Sequence, residues 1–333
     1  MSAAVDPELV QMMDAVFADH REKQSPTSDL WSHLRELGLL RLTGSEEHGG
    51  SGAGWFEAAE LLAAAARHGV RIPLAEHDLL ACWLLEASGL PVDDAVRTVC
   101  MLDKQGHATD VPWAATADRV VLAWRAEGGF RVADVAAGEL TITPGTNLIG
   151  EPRDAVSADL AALQGSPTTL AVVNRLRLKS GLVRSIQVCA VLDRILQLCI
   201  EHVSSRIQFG RPLAKFQAVQ NLVSDVAAEA ALARAATEAA LAVAVTSDWS
   251  ADNVEFLVAV ARSCTGHATS VVVRNAHQVH GAIGTTREHR LHEYTRAALA
   301  WRSEFGSLRY WDEKVTDSAL YASAGGLWGL ITG

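Results

Sequence analysis

The chain has 333 residues and a mass of 35.6 kDa. It is 49% hydrophobic and 20% charged, with 29 Lys and Arg against 39 Asp and Glu for a formal charge of -10. At roughly 100–200 residues per domain, this length accommodates two or three domains. An acidic balance without a Lys/Arg-rich block argues against nucleic acid as the main ligand, because neutralising phosphates needs a concentrated basic face. The mean hydropathy of +0.12 comes from Ala, Leu and Val in runs such as Leu61 to Ala66 and Ala227 to Ala244. Charges break these runs before the ~20 apolar residues that a membrane span needs, so no membrane partner is expected.

Met1 to Asp6 carries an acid where a leader would carry lysine and then an apolar core, so the expected compartment is the cytoplasm. Cys82, Cys100, Cys189, Cys199 and Cys264 are scattered without a C-x-x-C pair, which predicts reduced, buried thiols rather than a disulfide framework.

In chain order, Pro7 to Ala18 has apolar residues at helical spacing, and Leu30, Leu34 and Leu37 share one face of a helix that stops at Gly38. The glycine-rich stretch Gly49 to Gly54 leads into a predicted helix from Trp55 to His68. No strand precedes these glycines and no lysine follows them, so they read as a turn rather than a phosphate cradle. A further apolar helix is expected over His77 to Ala87. From about Thr98 the pattern becomes short β-like runs, at Arg119 to Trp124, Gly129 to Val132, Glu139 to Thr143 and Thr168 to Val173, read as a small antiparallel unit. After Arg177 the segments Leu182 to Ile207, Phe216 to Val245, Val254 to Gly281 and His289 to Glu304 predict four long helices joined by short loops, a helical bundle. The expected division is 1–97 helical, 98–174 a reduced β-domain, and 175–333 the bundle.

His277/His280 and His289/His292 are each three apart and share a helical face, but Arg287, Arg290 and Arg296 crowd the second pair and no cysteine completes a shell. No metal centre is expected. No G-x-S-x-G marks a nucleophilic serine. The chemically informative stretch is Ser205 to Gln220. An arginine at a helix end, Arg206, followed by an aromatic ring, Phe209, and a glycine turn would suit a diphosphate and an adenine.

Arg206-Ile-Gln-Phe-Gly-Arg-Pro-Leu, with Phe216 and Gln217, resembles the R-x-x-F-G-x-x-L…Q signature of the FAD-dependent acyl-CoA dehydrogenases. Ala276 to Gly284, followed by Glu288, is similar to that family's Q-x-x-G-G-x-G-x-x-x-E segment. Glu46 to Gly52 is similar to its P-E-x-Y-G-G-x-G loop, and Val111 to Val121 to its middle-domain stretch before a strand. The resemblance covers nearly the whole chain. It implies a mainly α fold in three parts: an N-terminal helical domain, a small antiparallel β-domain and a C-terminal four-helix bundle. The implied reaction is α,β-desaturation of an acyl-CoA thioester, a carboxylate taking the α-proton while the β-hydride passes to flavin.

Carried over residue by residue, the resemblance implies FAD contacts from Arg206 to the pyrophosphate, Phe209 to the adenine region and Gln217 to the ADP portion. Gln278 and Gly281 would lie against the ADP moiety, and the same contact set takes in Gln208, Phe216, Val279 and Ala282. Ala282 stands where the family has a second glycine. The family's T-E-P…G-S-D stretch and W-x-T/S strand have no counterpart between Thr98 and Asn174. Its catalytic glutamate is also out of register: near the C-terminus Glu304 lies one place too early, leaving it a weak candidate. On the first bundle helix the position falls near Lys179, Ser180 and Gly181. Glu288, Glu293, Asp225 and Glu229 read as surface charges of helices.

The pattern of losses implies the smaller subunit of a heterotetramer, two copies of each kind, like the actinobacterial dehydrogenases acting on steroid-derived CoA thioesters. A homologous larger subunit would complete the flavin site and supply the base, with electron-transfer flavoprotein as acceptor. The alternatives are a self-sufficient homo-oligomer using Glu304 as base, and a non-catalytic acyl-CoA or flavin-binding module.

Overall fold

The computed structural model describes residues 5–332, with side chains at all but 323–325 and 332. Most of Met1 to Asp6, on which the leader reading rested, lies outside the described residues. The chain divides into two compact units, one of residues 5–62 and 70–180, the other of residues 63–69 and 181–332.

In the first unit, α1 (Pro7–Lys23) starts where Asp6 caps it, its Oδ1 accepting from the Glu8 amide at 2.9 Å with Pro7 in the first turn. α2 (Thr27–Glu36) buries Leu30 and Leu34 and is followed by Gly38 at φ +72°. α3 (Trp55–His68) has the predicted bounds. The apolar helix expected over His77 to Ala87 is present but begins as a π-helix, Ala75–Cys82, before the short α4 (Trp83–Ala87). Every residue of the π-helical stretch is buried, including Glu76, His77 and Asp78. Such widened turns are uncommon and tend to re-aim side chains.

These buried groups are held by a polar network. The Thr43 amide and hydroxyl donate to Asp78 Oδ2 at 2.9 and 3.0 Å, and Arg41 bridges Asp78 and Glu86. His77 Nδ1 accepts from the Arg97 amide at 3.1 Å. Burial, reinforced by Arg41 and Arg97, pushes His77 down to about 3, so the ring stays neutral; burial raises Asp78 to about 6 against the pull of Thr43 and Arg41.

The strands are β1 (Arg97–Met101), β2 (His107–Pro112), β3 (Arg119–Ala126), β4 (Gly129–Ala136), β5 (Thr141–Thr143), β6 (Arg153–Ser157) and β7 (Ser166–Thr168). They form a four-stranded sheet in the order β1-β3-β4-β7 and a three-stranded sheet in the order β2-β6-β5. The unit is not wholly antiparallel as expected: β1 runs parallel to β3, Arg97 opposite Arg119. β3 is buried from Val120 to Trp124, because both its faces are covered, and with Cys100, Val111, Val135 and Val156 it forms the core of this region. The run Thr168 to Val173 is not a strand. β7 ends at Thr168 and α5 (Leu170–Ser205) begins two residues later, tertiary packing of Val173 overriding its β-branched preference.

In the second unit, α5 from residue 181 onward leads through a two-stranded hairpin, β8 (Ile207–Gln208) and β9 (Arg211–Pro212), to α6 (Gln217–Thr246), α7 (Val254–His280), α8 (Leu291–Trp301) and α9 (Leu308–Thr332). α6 and α9 both pack against α7. The sequence reading of four long bundle helices missed α9. The segment Val254–Thr285 is long and apolar enough to cross a membrane by length and composition, contrary to the sequence expectation; 61% of its most apolar window is buried within the fold, as in the core helix of a bundle. Cys82, Cys100, Cys189 and Cys199 are buried free thiols and Cys264 is half-buried. Burial raises all five, the first four to about 12.

Candidate functional site

α5 ends at Ser205, where the Arg206 amide still donates to the His202 carbonyl at 2.9 Å. The chain then reverses in a hairpin whose register sets Ile207 opposite Pro212 and Gln208 opposite Arg211. The two turn residues, Phe209 and Gly210, have φ of +51° and +77°, the pairing that a right-twisted two-residue hairpin turn demands. Glycine adopts that conformation freely. A phenylalanine does not, and an aromatic ring held there with 90% of its surface exposed marks a position selected for contact rather than packing.

The hairpin is braced from behind: the Phe209 and Phe216 rings meet edge to face at 6.2 Å, and the Arg211 guanidinium lies 4.2 Å from the Phe216 centroid. Phe216 sits at the N-cap of α6, and Gln217 opens the helix, exposed and donating to Asn221 at 3.1 Å. Arg206 and Gln208 are exposed. One small surface therefore presents a guanidinium, two amides and an aromatic face.

The second predicted segment lies at the end of α7. Gln278, Gly281 and Ala282 are exposed, while the Val279 side chain is buried, so only its backbone can reach a ligand. Gly281 has φ +62° and ψ -144°, a conformation essentially reserved for glycine, and a Cβ added there would meet nothing within 4 Å. The backbone at this point is bare and open to close approach. Gly284 is constrained differently, since a Cβ would fall 2.8 Å from that of His280.

The two segments are joined by histidines. The His202 ring, four residues before Arg206, stacks on His280, one residue before Gly281, with centroids 4.5 Å apart, and His289 approaches His280 at 4.6 Å. Burial, and then the neighbouring imidazoles, pushes His280 down to about 4, although the Ala276 and Leu198 carbonyls oppose it; His202 and His289 are also lowered, chiefly by burial. The same-face pairs read from the sequence do not act together. His277 instead meets the Thr295 hydroxyl at 3.1 Å, and His292 Nδ1 the His289 carbonyl at 2.8 Å.

Glu304 is held by a buried cation. Arg184 Nε donates to its Oε2 at 2.8 Å and the guanidinium stacks on Phe305, 4.9 Å from the ring centroid. A second buried arginine, Arg262, donates to the carbonyls of Arg302 and Glu304, each at 2.9 Å. Burial, with repulsion from Arg184, pushes Arg262 down to about 9. Neither arginine was singled out in the sequence, where each reads as one more charge on a helical pattern. At the other position considered for a base, Lys179 is only 2% exposed, its ammonium 4.4 Å from the Trp55 centroid and 4.5 Å from that of Trp83.

The exposed Arg206, the presented ring of Phe209 and the bare backbone at Gly281 fit the diphosphate and adenosine end of FAD by donor chemistry and by space. Comparison with known proteins bears on the family and the fold. Residues 4–91 match the acyl-CoA dehydrogenase N-terminal domain and residues 175–309 the acyl-CoA dehydrogenase C-terminal domain. The chain is 27% identical over 289 residues to the acyl-CoA dehydrogenase IpdE2 of Mycolicibacterium smegmatis, covering 86% of each protein. Its fold is similar to the ChsE4-ChsE5 complex from Mycobacterium tuberculosis (TM-score 0.82, 22% identity, 96% of this chain and 98% of that one). It is also similar to a variant of the Tcur3481-Tcur3483 steroid ACAD (TM-score 0.83, 20% identity, 95% and 98%). The chain thus belongs to the acyl-CoA dehydrogenase family, whose members are FAD-dependent flavoproteins.

Proposed function

We propose that this chain is a subunit of a heteromeric acyl-CoA dehydrogenase that gives its ADP-side contacts to a flavin site completed by a homologous, longer partner. The observation that carries the reading is an asymmetry. Most of the side chains suited to the ADP end of FAD are exposed, whereas both positions considered for a catalytic carboxylate are committed elsewhere: Glu304 is paired with Arg184, and Lys179 is a cation between two tryptophans. A general base must reach a substrate proton, and a carboxylate locked to a buried guanidinium is a poor acceptor.

In this reading Arg206 would hold the pyrophosphate, Phe209 would offer a stacking face to the adenine and Gly281 would let the backbone approach. FAD, when bound, supplies the hydride acceptor. The partner supplies the carboxylate for the α-proton and most of the acyl pocket. Similarity to a steroid ACAD supports a steroid-derived CoA thioester as substrate class, and the family resemblance implies an electron-transfer flavoprotein as acceptor.

Co-expression with a longer homologous dehydrogenase, followed by co-purification, tests this. The pair is expected to carry flavin absorbance and to reduce a dye acceptor when given an acyl-CoA, while the chain alone is colourless. Stoichiometric FAD and full turnover in the lone chain would instead establish the self-sufficient enzyme; a partner complex that never reduces an acceptor would leave a non-catalytic module.

A further inference from the structure

We propose that His202, His280 and His289 form a binding site for one divalent transition-metal ion of the zinc class. The three rings come from separate elements, the last turn of α5, the last turn of α7 and the loop before α8, and one candidate donor nitrogen from each lies within 4.8 Å of the others. Convergence of three imidazoles from distant points of the chain is not a by-product of helical periodicity, which places like residues on one helix.

The second observation is the hydrogen bonding of His280. Its Nδ1 donates to the Ala276 carbonyl at 2.8 Å, which places the lone pair on Nε2; that nitrogen is buried and makes no hydrogen bond of ordinary geometry, although the Leu198 carbonyl also faces the ring. A ring N–H given to a backbone carbonyl while the opposite nitrogen stays open is the arrangement that orients a metal-ligating histidine. Leaving the open nitrogen buried and unsatisfied is unfavourable unless something takes its electron pair.

The donor set defines the ion. Three neutral imidazoles suit zinc, nickel or copper, whereas magnesium and calcium demand oxygen. Ligands at about 2.1 Å in a tetrahedron stand about 3.4 Å apart, so the trio must contract. His202 and His289, both half-buried, have room to swing. Coordination through His289 Nε2 requires the Leu291 amide, which donates to Nδ1 at 3.1 Å, to release that contact. Around the trio, Arg206 opposes a cation near His202, and Glu201 favours a positive His289 while His292 opposes it. The bound ion would tie the end of α5 to the end of α7 and so fix Arg206 relative to Gly281, a role independent of the flavin reading.

The untagged 333-residue chain, stripped with chelator, is titrated with zinc by calorimetry and with cobalt by visible absorption. The expected result is one equivalent of either metal and a tetrahedral cobalt spectrum. Affinity should fall by well over ~100-fold in His202→Gln and His289→Gln, more than the roughly 10–100-fold that outer-shell substitutions cost. His267→Gln, on an exposed histidine paired with Asp312, should bind like the parent. Circular dichroism confirms that the variants fold; should His280→Gln fail that check, the two half-buried positions still decide. Absence of stoichiometric uptake by the parent, or unchanged binding in both His202→Gln and His289→Gln, overturns the proposal.

Discussion

Arg184 Nε lies 2.8 Å from Glu304 Oε2, with the arginine side chain 2% exposed and the glutamate 15%. Arg184→Met is expected to destabilise the protein by about 1–3 kcal/mol: Glu304 loses the charged hydrogen bond to its Oε2, while Arg262 is relieved of repulsion from Arg184 and still attracts the carboxylate. Glu304→Gln keeps the shape and one hydrogen bond, so it should lower the melting temperature but leave turnover of the assembled enzyme within a few-fold of the parent. Thermal unfolding and steady-state rates on the two variants check both statements, and abolished turnover with intact flavin in Glu304→Gln would make Glu304 the base after all.

Arg206 is the residue whose charge and geometry the flavin reading needs most. Each charge-assisted hydrogen bond to phosphate contributes about 1.5–3 kcal/mol. Arg206→Gln should therefore weaken FAD retention by the complex about 10–100-fold. Arg206→Lys, which keeps the charge and loses the fork, should fall between. Flavin fluorescence on dilution measures both.

Gly281→Ala probes the backbone alone. Nothing lies within 4 Å of the added methyl, so any loss comes from φ +62° and ψ -144°, about 1–3 kcal/mol. Denaturant titration should show that loss without a change in slope.

His77 sets a pH dependence. Its ring titrates at about 3 when folded against 6.5 when free, so its contribution to stability is complete above pH 6.5 and lost as pH falls from there toward 3. Asp78 acts in the opposite sense: its carboxyl is raised to about 6, so it favours the folded state below its free value of 3.8, and that contribution disappears as pH rises through 6. The two nearly cancel between pH 4 and 6. His77→Gln leaves Asp78 unopposed, and the unfolding free energy should then fall with rising pH across that window by about 1 kcal/mol per unit. Urea titrations at pH 4, 5 and 6 would read the slope; a flat profile in the variant contradicts the assignment.

How much of this was legible in the sequence depended on whether the deciding contacts were local. α3 was read to the residue because glycine turns flank an amphipathic run. β2 and β6 were missed: they are short, and their pairing, His107 opposite Ser157, is made by residues far apart in sequence. α9 was missed because its apolar residues, among them Leu320, Tyr321 and Trp328, are scattered over an exposed surface instead of forming a buried stripe. The hairpin at Arg206 was legible as a motif, but the left-handed Phe209 was not, since only the fold reveals a backbone angle. The two arginines around Glu304 and the trio of histidines were invisible for the same reason: each is a meeting of residues from different helices.

The five free thiols have a practical consequence. With four of them raised to about 12, these thiols stay protonated at pH 7, and the sulfurs are shut away from reagent as well. Alkylation of the folded chain is therefore a clock for opening. Cys100 times the parting of the β-sheet core, Cys189 and Cys199 the release of α5, and the half-buried Cys264 the first loosening of α7.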